Sequence, residues 1–305
     1  MTIALTPKRR GFTLAELMVA MGITVLLLTL LVSVTGVALD GWRLSRNKVR
    51  ASRQAKAALD QLSRDFESMV IRTGNSFEWF YAESEKDAPG PSSNESPNAA
   101  RLIMFTAATD RYDGDIGGAK DKGGDVSAVG YRLFYKDPIT NQEGTDYDVF
   151  ALYRKIVNPD ETYDDLLAED DLEGKFRRYD ASLDDSSNFV CENIFEMSVV
   201  FTVEYTETLA NSAPVTKIER IPILATTGSS AAKEFRLFGT GIEVDGNDNE
   251  PFARGRIVSV DVSLTVLTDN GIATLRRAQF AGTQLEKFLA KNSYRYSKTI
   301  LLPQP

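Results

Sequence analysis

Arg10-Gly11-Phe12-Thr13-Leu14-Ala15-Glu16-Leu17 opens an apolar run that ends at Leu39. Glu16 is the only charge from Phe12 to Leu39, and Lys8, Arg9 and Arg10 stand directly before the run. As an α-helix the run would be about 42 Å long at about 1.5 Å per residue. A bilayer core needs roughly 20 such residues, so this one is long enough to span. Three readings compete. A secretory signal peptide has an apolar core of roughly 7–15 residues followed by a small-x-small site. This run is about twice that length, and no clear site of that kind follows it. A plain signal anchor accounts for the length and the basic flank but not for Glu16. A carboxylate inside a membrane helix costs up to roughly 3 kcal/mol at the centre and less near the ends, and it usually marks a function.

The third reading uses every part. Residues 10–17 resemble the type IV prepilin signature, in which a basic leader ends in Gly, Phe follows, and a Glu stands five places into the mature chain. The resemblance implies that Gly11 ends the leader and that a membrane prepilin peptidase cuts between Gly11 and Phe12 and methylates the new amine of Phe12. Gly11 has no side chain, so an active site can approach its backbone closely. The resemblance further implies that Glu16 pairs with the Phe12 amine of a neighbouring subunit and sets the stagger during assembly. Such a pair is favoured over two lone charges in a low-dielectric setting. The plainer alternative is that Glu16 snorkels to the headgroups.

Helical periodicity continues past Trp42. Ala51, Ala55, Ala58, Leu62, Phe66 and Met69 form one apolar stripe, opposite Arg53, Lys56, Asp60 and Arg64. No proline interrupts from Thr13 to Thr73, and Gly74-Asn75 is a stop signal. The spacing predicts one helix from about Phe12 to Arg72, with Gly36 and Gly41 as points where it can bend. The chain then divides into a leader (1–11), a transmembrane half of the helix (12–40), a second half packed on the head (41–73) and a globular head (74–305). Arg43, Arg46, Lys48, Arg50, Arg53 and Lys56 follow the apolar run and outnumber the leader's cations. The positive-inside rule taken alone would leave the head in the cytoplasm. The prepilin resemblance implies the opposite: a single-pass protein of the bacterial inner membrane with its head outside the cytoplasm, entering a filament after assembly.

Residues 82–100 carry three prolines among polar residues and read as a flexible loop. Beyond them strand patterns dominate, at Arg101–Ala107, Ser127–Lys136, Asp148–Val157, Ile194–Glu207, Val215–Ile221, Phe235–Phe238, Arg256–Thr268 and Tyr294–Leu302. The Arg256–Thr268 stretch alternates nearly strictly, the pattern of a sheet with one wet face. Short helices are expected at Glu161–Ala168 and Thr283–Ala290. The expected fold is α+β, pilin-like: a long N-terminal helix packed on a mostly antiparallel β-sheet head.

Tyr131–Tyr135, Phe150–Arg154, Val260–Thr268 and Tyr296–Ile300 resemble the Verru_Chthon cassette protein C family of pilin-like proteins. The overall plan is similar to the J-type minor pseudopilins of type II secretion. The K-type tip subunit typically lacks the acid that Glu16 supplies here. A head of this bulk crowds its neighbours in a thin filament, so a minor subunit is expected rather than a major one. The alternatives within this reading are a tip adhesin and a DNA-uptake minor pilin. The expected partners are prepilin peptidase, other pilin or pseudopilin subunits and the inner membrane.

Composition narrows the rest. A net charge of −8 and a pI near 4.9 argue against general nucleic-acid binding. The chain has no histidine, so Ser-His-Asp and Cys-His chemistry cannot be built, and only Ser-Lys or two-carboxylate sites remain open to an enzyme. No enzymatic activity is expected. Cys191 is the single cysteine and reads as a buried thiol. Asp110, Asp113 and Asp115 surround a Gly turn as weak calcium candidates, without the spacing of an EF-hand, and no other cofactor is expected. Asp245–Glu250 is similar and weaker. Asp164, Asp165, Glu169, Asp170 and Asp171 read as a wet helix face and loop.

Overall fold

Helix α1 runs Leu14–Glu67, and its two parts lie in different compact units that divide between Val49 and Arg50. The computed structural model describes residues 13–85, 90–91, 94–107, 124–207, 213–225, 231–248, 251–280 and 282–303. In the first unit the large apolar side chains of α1 are all exposed, and from Leu14 to Leu39 the sequence is apolar on nearly every side. In the second unit Ala51, Ala55, Ala58, Leu59, Leu62 and Phe66 are buried, the stripe that the spacing predicted. Gly36 and Gly41 are both helical.

The helix stops five residues before the expected Arg72. Met69 forms an antiparallel bridge with Thr106, and the Val70 N–H donates to the Phe105 carbonyl at 2.9 Å. Val70 and Ile71 are β-branched and suit extended backbone, so pairing with a strand wins over another helical turn. Gly74 (φ 81°) instead forms the left-handed turn leading into the first strand.

The head holds two antiparallel sheets where one was expected. The first contains β1 (Glu78–Ser84), β2 (Ala100–Thr106), β3 (Ser127–Lys136), β4 (Val149–Val157), β5 (Phe189–Glu192), β8 (Glu234–Phe238) and β9 (Gly241–Val244), in the order β5-β4-β3-β2-β1-β8-β9. The second contains β6 (Ile194–Glu207), β7 (Val215–Ile223), β10 (Arg256–Leu267) and β11 (Ser293–Leu301), in the order β11-β10-β6-β7. The buried stripe of α1 packs with the inner faces of both sheets: Leu102, Met104 and Tyr131 from the first, Val199, Phe201, Val262 and Leu264 from the second. Phe66 of α1 lies 5.9 Å from Phe80 of β1, centroid to centroid, and Phe80 lies 5.3 Å from Phe201 of β6.

The first sheet is covered on both faces. Leu102 and Met104 of β2 face α1, whereas Ile103 and Phe105 pack under α2 (Pro159–Asp165) and α3 (Leu172–Asp180). This double burial makes β2 a continuous apolar run, as strands covered twice are. A third cluster joins Phe150 and Phe195 to α4 (Asp269–Leu275) and α5 (Thr283–Asn292).

The expected loop at 82–100 needs correction at both ends. Residues 82–84 belong to β1, and Ala100 opens β2. Inside it, Asn94 is buried, with its amide donating to the carbonyls of Leu275 (2.9 Å) and Ala278 (2.7 Å). Asn94 thus satisfies backbone groups near α4, a long-range role that composition does not reveal. The acidic run near residue 170 is more than a wet surface. Asp171 caps α3 through the Gly174 N–H, and Asp165 accepts from the Tyr179 hydroxyl at 2.9 Å.

Candidate functional site

The N-terminal turn of α1 is built by a reciprocal pair. The Glu16 N–H donates to Thr13 Oγ1 at 3.3 Å, while the Thr13 N–H and hydroxyl both donate to Glu16 Oε2 at 2.9 Å. This is a capping box: each residue satisfies a backbone donor that the helix end leaves free. Thr13-Leu14-Ala15-Glu16 is a Thr-x-x-Glu sequence directly before an apolar run, which is the sequence signature of such a box. Glu16 therefore has an intrachain partner before any neighbouring subunit approaches. Gly11 and Phe12 lie outside the described residues.

Farther along, the hydroxyls of Thr24, Thr29 and Thr35 each donate 2.8 Å bonds to the carbonyls of Ala20, Val25 and Leu31. These three hydroxyls are thus satisfied within the helix itself, as a segment in lipid requires. By length and composition α1 is the one helix among the described residues able to cross a membrane.

Two charge clusters stand in the head. Asp65 of α1 is 2% exposed, yet it holds Arg154 of β4 through two hydrogen bonds, Nε to Oδ2 at 2.7 Å and Nη2 to Oδ1 at 2.8 Å. The Tyr131 hydroxyl also donates to Asp65 Oδ2. Burial and then the Asp65 carboxylate push the Tyr131 phenol well above its ordinary pKa, which keeps it a donor. This buried triad fixes the second part of α1 on the first sheet.

The other cluster lines an open cleft of about 730 Å³ between the outer face of the first sheet and α3. Buried Arg101 of β2 reaches Glu173 (2.9 Å), Asp180 (2.9 Å) and Glu83 (3.3 Å). Burial works against the Arg101 charge, but Asp180, Glu83 and Glu173 outweigh it and raise the pKa. Arg236 lies 4.9 Å from the Tyr81 ring and 3.4 Å from buried Glu78. Burial pushes Glu78 and Glu85 each up to about 7, against the pull of Arg236 on the first and Arg132 on the second. The cations are already engaged by the carboxylates around them, so the arrangement is a structural clamp between β1, β2, β8 and α3.

Among the described residues no group of three potential ligands is placed to hold a metal. Asp110, Asp113 and Asp115 lie outside those residues. Asp245 accepts from the N–H groups of Lys233 and Glu234, both at 2.9 Å, and serves a turn. Cys191 is buried, and burial followed by the nearby Glu192 carboxylate pushes its thiol up to about 12.

The cleft and the triad hold the head together, which leaves the N-terminal segment as the part built for something else. Residues 6–32 match the prokaryotic N-terminal methylation motif. The chain is thus type IV pilin-like at its N-terminus. The pilin-like segment takes in Gly11, Phe12, Thr13 and Glu16 together, and the motif is that of chains processed by prepilin peptidase and assembled with other pilins. Comparison with curated proteins and with solved structures returned no match.

Proposed function

We propose that this chain is a minor pilin or pseudopilin subunit of a type IV pilus or a type II secretion-type filament. The observation that carries the reading is continuity: the motif at 6–32 runs directly into α1, whose later part forms the core of an α+β head. In this reading prepilin peptidase cuts between Gly11 and Phe12, Phe12 becomes N-methylated, and residues 12–40 hold the chain in the inner membrane. Residues 41–73 then lead into the head, 74–305, outside the cytoplasm. Glu16 trades its bonds with Thr13 for the amine of a neighbouring subunit during assembly. The bulk of the head supports a minor position in the filament.

The finer placement beside the Verru_Chthon cassette protein C family draws support from where its four stretches lie. Tyr131–Tyr135 and Phe150–Arg154 fall on the paired strands β3 and β4, and Val260–Thr268 and Tyr296–Ile300 on the paired strands β10 and β11, apart from Thr268 just past β10. The same α1-plus-antiparallel plan supports the likeness to J-type pseudopilins.

Intact-mass measurement on the chain expressed with and without a prepilin peptidase tests the processing step. The expected result is loss of residues 1–11 and gain of one methyl group. A chain that stays intact from Met1 beside an active peptidase would sink the proposal. Glu16→Leu is expected to be cleaved normally yet fail to enter filaments. Incorporation at the parent level would remove Glu16 from the assembly step.

A further inference from the structure

The apolar part of α1 ends in a ring of charge. Trp42, Arg43, Arg46 and Lys48 are exposed. The Arg46 guanidinium lies 5.7 Å from the centre of the Trp42 ring, and Arg43 pairs only loosely with Asp40 at 3.8 Å, both side chains being open to solvent. At about 100° per residue, Arg43 and Arg46 share one side of the helix and Lys48 lies roughly opposite. The three occupy an axial span of about 7.5 Å. Arg50, the next cation, is different: it is committed to Glu192 (2.5 Å) and Asp269 (2.7 Å).

A surface built for one protein neighbour would gather its cations on one face. Cations all round the circumference, in a band about as thick as a headgroup layer, suit a partner that surrounds the helix. A tryptophan in the same band is a membrane-interface residue by its chemistry. The helix length agrees. Glu16 and Trp42 are about 39 Å apart along an upright helix. The hydrocarbon core is roughly 30 Å thick, and roughly 40–45 Å with headgroups. With Trp42 in one headgroup layer, Glu16 reaches the other, where its capping box with Thr13 is already satisfied.

We propose that Trp42, Arg43, Arg46 and Lys48 form a collar that binds anionic phospholipid headgroups in the leaflet at the Trp42 end of the span. The inference rests on the membrane-spanning reading. Its consequence follows from processing: cleavage after Gly11 removes Lys8, Arg9 and Arg10, and the collar then sets the depth at which the mature chain waits in the bilayer.

The test uses the full chain reconstituted in phosphatidylcholine vesicles containing a minor share of phosphatidylglycerol, with association of spin-labelled lipids as the readout. Phosphatidylglycerol is expected to be enriched around the chain. The triple variant Arg43→Gln, Arg46→Gln, Lys48→Gln is expected to lower that enrichment on the order of tenfold. Salt near about 1 M is expected to lower it similarly, since the screening length falls to about 3 Å. Arg50→Gln is expected to leave it unchanged. Equal association of the two lipids with the parent chain, or full enrichment around the triple variant, would overturn the inference. So would a triple variant that keeps its lipid preference but loses cross-linking between copies, which would make the collar a protein contact. A chain that washes off the vesicles in carbonate would overturn the spanning reading, and the collar with it.

Discussion

The two parts of α1 obey different rules. From Leu14 to Leu39 the helix is apolar on nearly every side, through Val49 it keeps its large side chains exposed, and its side-chain bonds in the apolar run are local: Thr13 with Glu16, and three threonines with carbonyls one turn back. From Arg50 onward it is amphipathic, and several of its charged groups find partners far away in sequence. Arg50 pairs with Glu192 and Asp269, Asp60 with Lys298, and Asp65 with Tyr131 and Arg154. Each part therefore carries an acid with a defined partner, but Glu16 is served by its own turn and Asp65 by the tertiary fold. An acid held only locally can change partners cheaply, whereas one held in the core cannot.

Asp65→Ala breaks the comparison at its strongest point. It leaves the Arg154 charge buried without its carboxylate, and chemical denaturation of the head is expected to show a loss of about 3–5 kcal/mol. A loss below about 1 kcal/mol, the scale of a surface pair, would show that the triad is solvated. Next comes a matched pair of truncations. Leu62→Ala empties a fully buried site and is expected to cost the head about 2–5 kcal/mol. Leu26→Ala removes an exposed side chain of the first part and is expected to leave the head's denaturation midpoint unchanged.

The cleft sharpens the comparison through pH. Glu78 and Glu85 have folded pKa values near about 7, raised from 4.5 chiefly by burial. A raised carboxylate pKa means that the folded state binds the proton more tightly. The stabilisation is thus complete below about 4.5 and is lost as pH rises through about 7. The head's unfolding free energy, read from thermal melts, is expected to fall across that window by on the order of 3 kcal/mol for Glu78, and Glu78→Gln should flatten the slope. A slope that Glu78→Gln leaves intact would mean another group is responsible. The smallest effect is at the N-terminus. Thr13→Ala removes the capping hydroxyl and should weaken the first turn of α1 by about 1 kcal/mol, read as faster amide exchange at residues 14–16 in micelles. Unchanged exchange there would show that the box contributes nothing.

Legibility followed the same division. The spacing of Ala51 to Phe66 foretold the buried stripe, and β3 and β6 fall at the expected residues, because their patterns are long and unbroken. Strand β1 was missed: six of its seven residues are buried, on both faces, with no alternation, and its last three run into a polar segment. Helix α3 was missed because Glu173 and Asp180 look like solvent residues until Arg101 stands beside them. At the candidate site, Glu16 was legible from its position in an apolar run, while its bonds to Thr13 were written in the same four residues and went unread.

By itself the sequence determined the N-terminal rod: an apolar helix with its own cap, a basic flank and the methylation motif. All of these are short-range properties of neighbouring residues. Only the tertiary structure decided that residues 51–66 pack against two sheets, that α1 ends where Met69 meets Thr106, and that Asp65 is paired with groups 66 and 89 residues away. Those outcomes depend on which distant segments meet and which of them leave a buried charge unmatched, and a local pattern carries no record of that.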